Sequence, residues 1–321
     1  MNKMLKSILH EMNSQLNSMN KLYQDSSCWG KIFIFTLLVI LLIIIFKGQS
    51  TFKEGFEQSE QFLFKTGHDI YDDFYADIYD YLVYNDIKTQ YEVGEIVNKT
   101  SPSSESIILD VGCGTGHHVS RLGAQDLNII GVDISPSMIA KAKENYPQYD
   151  FKVGDVLVNN TFKPSSFTHI LCLYFTIYYF HDKLAFFNNC MDWLMPGGYL
   201  ILHLVDREQF DPILPPGNPL MLVSPQKYAK KRITTTKVKF NDFHYSADFQ
   251  LDKQQNIAKF VEKFKSDHSG KIRKHEHTLY MERQDDILVS AQEAGFILEG
   301  QIDLIKAQYE YQYLYILIKP N

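Results

Sequence analysis

A short apolar run that ends in an acid and opens onto alternating glycines limits what this chain can become. Residues 106–111 read Ser-Ile-Ile-Leu-Asp-Val, and Gly112-Cys113-Gly114-Thr115-Gly116 follow directly, ahead of a helical pattern through Val119 and Leu122. Glycines at alternate positions let the backbone adopt angles closed to other residues and approach a ligand closely. The helix that follows offers free N–H groups and the positive end of its dipole. A second apolar run closes on Asp133, 21 residues after Gly112, where an acid can accept from both hydroxyls of a ribose. Together these residues form a nucleoside-binding constellation. They do not meet the dinucleotide fingerprint, because His117 stands where its third glycine belongs.

The surrounding pattern places this loop in a parallel sheet. Strands are expected at 106–111, 127–133, 151–153, 167–174 and 199–205, with helices between them, the second of which has Ser135 as N-cap and Pro136 at its first position. Alternating strands and helices joined by short loops mean a sheet covered on both faces. Residues 69–97 read as one or two amphipathic helices carrying Tyr71, Tyr75 and Tyr79 on nearly one face. From Pro212 to about Met281 the alternation changes to that of antiparallel strands, and a helix over 285–294 and strands over 296–303 and 311–318 close the chain. The stretch 206–281 is therefore expected to be an insert within one α/β domain spanning 68–321.

Here the chain resembles the class I S-adenosylmethionine-dependent methyltransferase family. Residues 108–116 (ILDVGCGTG) resemble its first motif, 131–135 (GVDIS) its second, 153–155 (VGD) its adenine-side motif and 193–202 (WLMPGGYLIL) the turn before its fifth strand. The resemblance implies a Rossmann-like α/β fold with a seven-stranded sheet whose seventh strand is antiparallel, here carrying an antiparallel β-rich lid insert, and S-adenosyl-L-methionine as cofactor. It further implies that Asp110, Gly112, Gly114 and Gly116 hold the methionine part, that Asp133 binds the ribose, that Ile134 packs on the adenine and that Asp155, with Val156 beside it, accepts from the adenine amino group. The aromatic helix at 71–79 either closes over the cofactor, as in small-molecule members, or is a core stripe.

Methyl transfer from a sulfonium is an in-line displacement, so positioning supplies much of the rate, and a general base is required only when the nucleophile arrives protonated. Candidates cluster beyond the fourth and fifth strands, where ligands bind in such sheets: Tyr178, His181 and His203, with Tyr174, Tyr179 and Asp206 nearby. The base-methylating motif of the family after the fourth strand is replaced by Leu173-Tyr174-Phe175-Thr176, and neither the cysteine nucleophile nor the paired-glutamate loop of other members is present. A small-molecule or lipid-like acceptor is what remains. Protein or nucleic-acid methylation, or a binding protein without activity, are the alternatives. His275-x-His277 lacks partners at metal-ligand spacing, so no metal is expected.

One segment does not fit a soluble protein. Residues 32–46 are fifteen residues without a charge, and with Trp29 they approach the ~20 residues that cross a bilayer. We expect a polar tail over 1–28, a single transmembrane helix over 29–46 and a tether over 47–67. Lys21 and Lys31 on one side and Lys47 and Lys53 on the other leave the orientation undecided by charge. A cytosolic catalytic domain follows from where the cofactor is made. Four widely spaced cysteines exclude a disulfide scaffold, and a net charge of −6 disfavours nucleic acid as a partner. Within that acidic chain, residues 224–280 hold eleven Lys and two Arg against six Asp and Glu. Lys230, Lys231 and Arg232 are accordingly expected to face an anionic acceptor or an anionic leaflet.

Overall fold

The structure, a computed structural model, describes residues 61–215 and 225–321 and a few residues between 27 and 36. The chain divides into two units, Met1–Lys53 and Glu54–Asn321. In the first, residues 29–32 and 34–36 are helical. Ser27 starts the turn by accepting from Gly30 N and Lys31 N, and Thr36 Oγ1 donates back to the Ile32 carbonyl at 2.8 Å. Among the described residues no helix is long and apolar enough to cross a membrane, and most of the expected span 29–46 lies outside them.

The second unit carries two sheets. In chain order the described strands are β1 (Phe62–Thr66), β2 (Ile107–Val111), β3 (Asn128–Asp133), β4 (Asp150–Val153), β5 (Phe167–Cys172), β6 (Leu194–Val205), β7 (Thr235–Lys239), β8 (Phe243–Asp252), β9 (Ile257–Ser266), β10 (Ile272–Tyr280), β11 (Ile297–Asp303) and β12 (Gln312–Ile318). The helices are α1 (Asp73–Val83), α2 (Asp86–Thr100), α3 (His117–Gly123), α4 (Pro136–Asn145), α5 (Lys183–Trp193) and α6 (Gln284–Glu293). Seven strands pair in the order β11-β12-β6-β5-β2-β3-β4. β2 through β6 run parallel, and β12 runs antiparallel to both its neighbours.

Successive strand residues supply opposite faces, as the two-residue period requires. Leu109, Ile170, Leu200 and Leu202 join Phe186, Phe187 and Trp193 of α5 in one apolar layer. Ile108, Leu171 and Ile201 join Val93 of α2, Val119 of α3 and Ile139 of α4 in the other. The helices start where their capping residues stand: Asn85 accepts from Lys88 N, Ser135 from Met138 N and Asp182 from Ala185 N, each at 2.9–3.1 Å.

Four strands of the insert and β1 form a separate five-stranded sheet, β1-β10-β9-β8-β7. Its outermost strand corrects the expected tether. Residues 62–66 pair in parallel with β10 from Phe62↔Ile272 to Thr66↔Glu276, and they form an edge of that sheet with alternating exposure along the strand. A third apolar cluster joins this sheet to α1 through Phe74, Tyr75, Ile78 and Leu82 against Phe243, Tyr245 and Phe264. The aromatic helix is therefore the element held between the lid and the main sheet.

Candidate functional site

A cavity opens at the carboxyl ends of the parallel strands, walled by the glycine loop, α1 and the lid sheet. At its nucleoside end lie Gly112, Gly114, Asp133, Ile134, Asp155 and Val156. Gly112 and Gly114 adopt φ of +66° and +52°, and a Cβ on Gly112 would come within 2.6 Å of the Thr176 side chain. Asp133 is fixed by two backbone donors, Gly114 N at 3.0 Å and Ser135 N at 2.9 Å. Burial raises its carboxyl, and those same donors oppose the rise. Asp155 Oδ1 accepts from Leu157 N at 2.9 Å, which tightens the turn after β4.

Asp110 lies next door, in a smaller pocket that shares Tyr79, Gly112, Gly114 and Tyr174 with the main one. Its Oδ2 is buried without a hydrogen-bond partner among the described residues. Burial pushes the carboxyl up to about 7, an effect that His118 opposes and that Asp133 and Glu92 strengthen. An orphaned carboxylate oxygen beside a glycine cradle is what a cationic amino group would complete. The residues present therefore fit an amino-acid-bearing nucleoside.

α1 is clamped over this end. Thr115 Oγ1 donates to Asp80 Oδ1 at 2.6 Å, Ser137 Oγ to Asp73 at 2.6 Å and Ser135 Oγ to the Tyr71 carbonyl at 2.6 Å, while Lys141 pairs with Asp77 at 2.9 Å. Tyr71, Tyr75 and Tyr79 consequently line the cavity.

The remaining expected residues are placed elsewhere. Gly116, at φ +92°, begins α3 and packs against the Phe151 ring, which a Cβ would meet at 2.8 Å. Its role is close packing, and it does not line the cavity. Tyr178 is wholly buried, and its hydroxyl accepts from Val205 N at 2.8 Å. His181 is exposed, with its ring edge-on to Tyr280 at 4.7 Å. His203 is buried beneath the cavity, with Nδ1 against the Tyr174 carbonyl and Nε2 3.1 Å from Gln312 Oε1. Burial lowers it to about 4. None of these three side chains lines the cavity.

What lines the far end instead is a group that sequence spacing did not connect. The Tyr179 hydroxyl lies 2.8 Å from His277 Nδ1, and His277 Nε2 lies 2.9 Å from Glu262 Oε2. Tyr245 donates to Glu262 Oε1 at 2.6 Å. Glu262 and His275 are directly opposite in the β9–β10 ladder, so Glu262 supplies the third group that the His275-x-His277 spacing lacked, and the three could hold a metal ion by distance. Arg273 Nε donates to His275 Nε2 at 2.6 Å, which sets a permanent positive charge beside the cluster and disfavours a cation there.

Arg232 is also placed differently from the sequence reading. Its guanidinium turns inward, donating to the Arg207 and Phe210 carbonyls and stacking on the Phe210 and Phe249 rings at 4.8 and 5.3 Å.

Residues 108–198 match the methyltransferase-domain family. This part of the chain is similar to a methyltransferase domain. The chain is 32% identical over 114 residues to a dTDP-4-amino-2,3,4,6-tetradeoxy-D-glucose N,N-dimethyltransferase of Saccharopolyspora spinosa, covering 35% of this chain and 45% of that protein. It is 33% identical over 107 residues to a ubiquinone biosynthesis O-methyltransferase of Xanthomonas campestris pv. campestris (strain B100), covering 31% and 43%. The chain thus spans less than half the length of these relatives. Among solved structures, an S-adenosylmethionine-dependent methyltransferase from Clostridium acetobutylicum ATCC 824 superposes with a TM-score of 0.58 at 16% identity, over 77% of this chain and 98% of the other. The fold is that of an S-adenosylmethionine-dependent methyltransferase.

Proposed function

We propose that the chain transfers a methyl group from S-adenosylmethionine to a small-molecule acceptor bound at the aromatic end of the cavity. One observation carries this reading. A single cavity joins Gly112, Gly114 and Asp133 to a wall of Tyr179, Phe210, Phe249 and Phe260. When bound, the cofactor supplies an activated methyl sulfonium. This chain's residues do the rest. Asp110 would take the amino group, Asp133 the ribose hydroxyls and Asp155 the adenine amino group, while Ile134 and Val156 pack on the base. The tyrosines of α1 exclude water from the line of transfer, and positioning of that kind is worth roughly 7–11 kcal/mol.

The curated relatives named above act on a sugar nucleotide and in ubiquinone biosynthesis, which supports a small-molecule acceptor here. For the segment 29–46 we propose a membrane anchor with the catalytic unit on the cytosolic side, on the strength of its uncharged fifteen-residue run.

Titration calorimetry with S-adenosylmethionine tests the cofactor assignment. Asp133→Ala removes charge-assisted hydrogen bonds worth roughly 1.5–3 kcal/mol each, so affinity should fall at least about tenfold in a folded protein. Unchanged affinity would refute the site. Glycosylation of Asn98 or Asn159, both in sequons, during expression in a secretory host would refute the orientation. Recovery of the full-length chain without detergent would refute the anchor.

A further inference from the structure

We propose that Tyr179, His277 and Glu262 form a proton-accepting relay at the acceptor end of the cavity and that the acceptor presents a phenolic hydroxyl. The proposal rests on the methyl-transfer reading and goes further by naming the base and the nucleophile.

The polarity of the relay follows from its charges. Burial alone would raise the Glu262 carboxyl, but His275 and His277 outweigh burial and hold it well below the usual carboxylate range. An ionised Glu262 only accepts hydrogen bonds, so the contact at 2.9 Å requires His277 to carry its proton on Nε2. In the neutral imidazole that the relay requires, Nδ1 is then a bare lone pair, and it faces the Tyr179 hydroxyl at 2.8 Å. Tyr179 and His277 both line the cavity, whereas Glu262 is wholly buried behind them. Glu262 is thus a positioning residue, fixing the tautomer and stabilising the imidazolium that forms.

In the reaction, a lone pair of the acceptor oxygen forms the new O–CH3 bond while the S–CH3 bond breaks and its electron pair stays on sulfur. The acceptor proton moves to the Tyr179 oxygen as the Tyr179 proton moves to His277 Nδ1, leaving imidazolium beside the Glu262 carboxylate. Burial raises the Tyr179 hydroxyl, so Tyr179 passes a proton on without itself standing ionised. The other titratable groups facing His277 are Tyr71 and Tyr75 from the α1 side, Tyr245 from β8 through Glu262, and His275 and Arg273 from its own strand.

The acceptor end explains the choice of nucleophile. Its walls include Phe175, Phe210, Phe249, Phe260 and Leu279, which suit a flat neutral ring. An acceptor of that kind keeps its proton at neutral pH, because a phenol ionises near ~10, and therefore needs a base.

The test uses labelled S-adenosylmethionine with phenol, 4-nitrophenol and pentafluorophenol. Tyr179→Phe preserves the ring and removes the relay, and His277→Asn and Glu262→Gln accompany it. Turnover of phenol should fall by roughly 10²–10⁴ in the variants. Turnover of pentafluorophenol, which arrives ionised, should change by less than about tenfold, and cofactor affinity by calorimetry should stay within about twofold. Equal losses across the series, or none in Tyr179→Phe, would overturn the relay. Failure of the wild type to methylate any of the three phenols while binding the cofactor would overturn the phenolic acceptor. Failure to bind the cofactor at all would instead refute the underlying methyl-transfer reading.

Discussion

Replacing Asp110 by Asn should make the protein more stable and a poorer cofactor binder at once. The fold raises this carboxyl from 3.8 to about 7, chiefly because burial has taken its water and left Oδ2 without a partner. Each pKa unit is about 1.36 kcal/mol, so carrying the ionised group in the fold at pH 8 costs about 4 kcal/mol relative to the unfolded chain. An Asn there removes that cost but buries an amide with an unmade bond, worth about 1–3 kcal/mol. The ionisation cost is the larger, and a net gain of roughly 1–3 kcal/mol follows.

The sign with pH is a second check. A carboxyl raised in the fold binds its proton more tightly there than when unfolded. The stability it confers is complete below about pH 4 and is lost as pH rises through about 7. The advantage of Asp110→Asn should therefore be smaller at pH 5, where only about 1.7 kcal/mol of the ionisation cost has appeared, and should grow by about 2–3 kcal/mol toward pH 8. At roughly 2–4 °C per kcal/mol, thermal unfolding of the apo protein would resolve this. Calorimetry on the same samples should show cofactor affinity reduced by at least about tenfold, since a charged partner of the amino group is gone. A variant that melts lower than wild type at pH 8, or binds S-adenosylmethionine equally well, would refute the assignment of Asp110 to a buried cation.

Three further perturbations follow from the same structure. Lys88 and Glu92 are a buried ion pair on α2, and His118 Nε2 is 3.1 Å from the same carboxyl. Burial pushes Glu92 up, but Lys88 and His118 more than offset it and hold it at about 2, so Lys88→Met should cost roughly 3–5 kcal/mol by urea unfolding. The wild type should lose stability as pH falls from about 4.5 toward 2, because a carboxyl lowered in the fold stabilises only while ionised. A chain beginning at Gly67 should melt several degrees below one beginning near Ser50 and should aggregate sooner, because it strips β1 from the edge of β10. Equal melting of the two by light scattering and circular dichroism would show that β1 contributes nothing.

What the sequence made legible is local. The run into Asp110, the glycines and the run into Asp133 are contiguous, and hydrophobic period plus turn chemistry suffice to order the parallel strands. The acceptor end has no such continuity. Tyr179 and His277 stand 98 residues apart, and His277 and Glu262 stand 15 apart on neighbouring strands, so only the β9–β10 register brings them together. Position at a strand end misled for His203 because it does not say which way the pleat turns the ring: β6 aims it inward, toward Gln312. For Tyr178, the single 3-10 turn over Thr176–Tyr179 sends one tyrosine to the core and its neighbour to the cavity. β1 was missed because five residues of alternation carry too little signal to separate an edge strand from a polar segment with spaced phenylalanines.

The basic insert shows why a charge count does not identify a partner. Of its positive groups, Arg232 is turned onto backbone carbonyls, and Arg273 is buried against Asp72 with its plane over Phe74 at 4.4 Å. Lys253 pairs with Glu208, Lys259 and Lys274 share Glu276, and Lys239 reaches Asp267 at 3.9 Å. Pairs of this kind, exposed on a sheet, contribute little affinity for anything else. The Arg232 guanidinium also stacks on Phe210 and Phe249, two rings that line the cavity, so this charge of the insert stiffens an apolar wall. Lys230 and Lys231 remain exposed, and they flank the lid where charge keeps the sheet from pairing with another edge. A cavity lined by phenylalanines that an arginine of the insert holds in place suits an uncharged ring, and the relay behind Tyr179 is what such an acceptor would need in order to become a nucleophile.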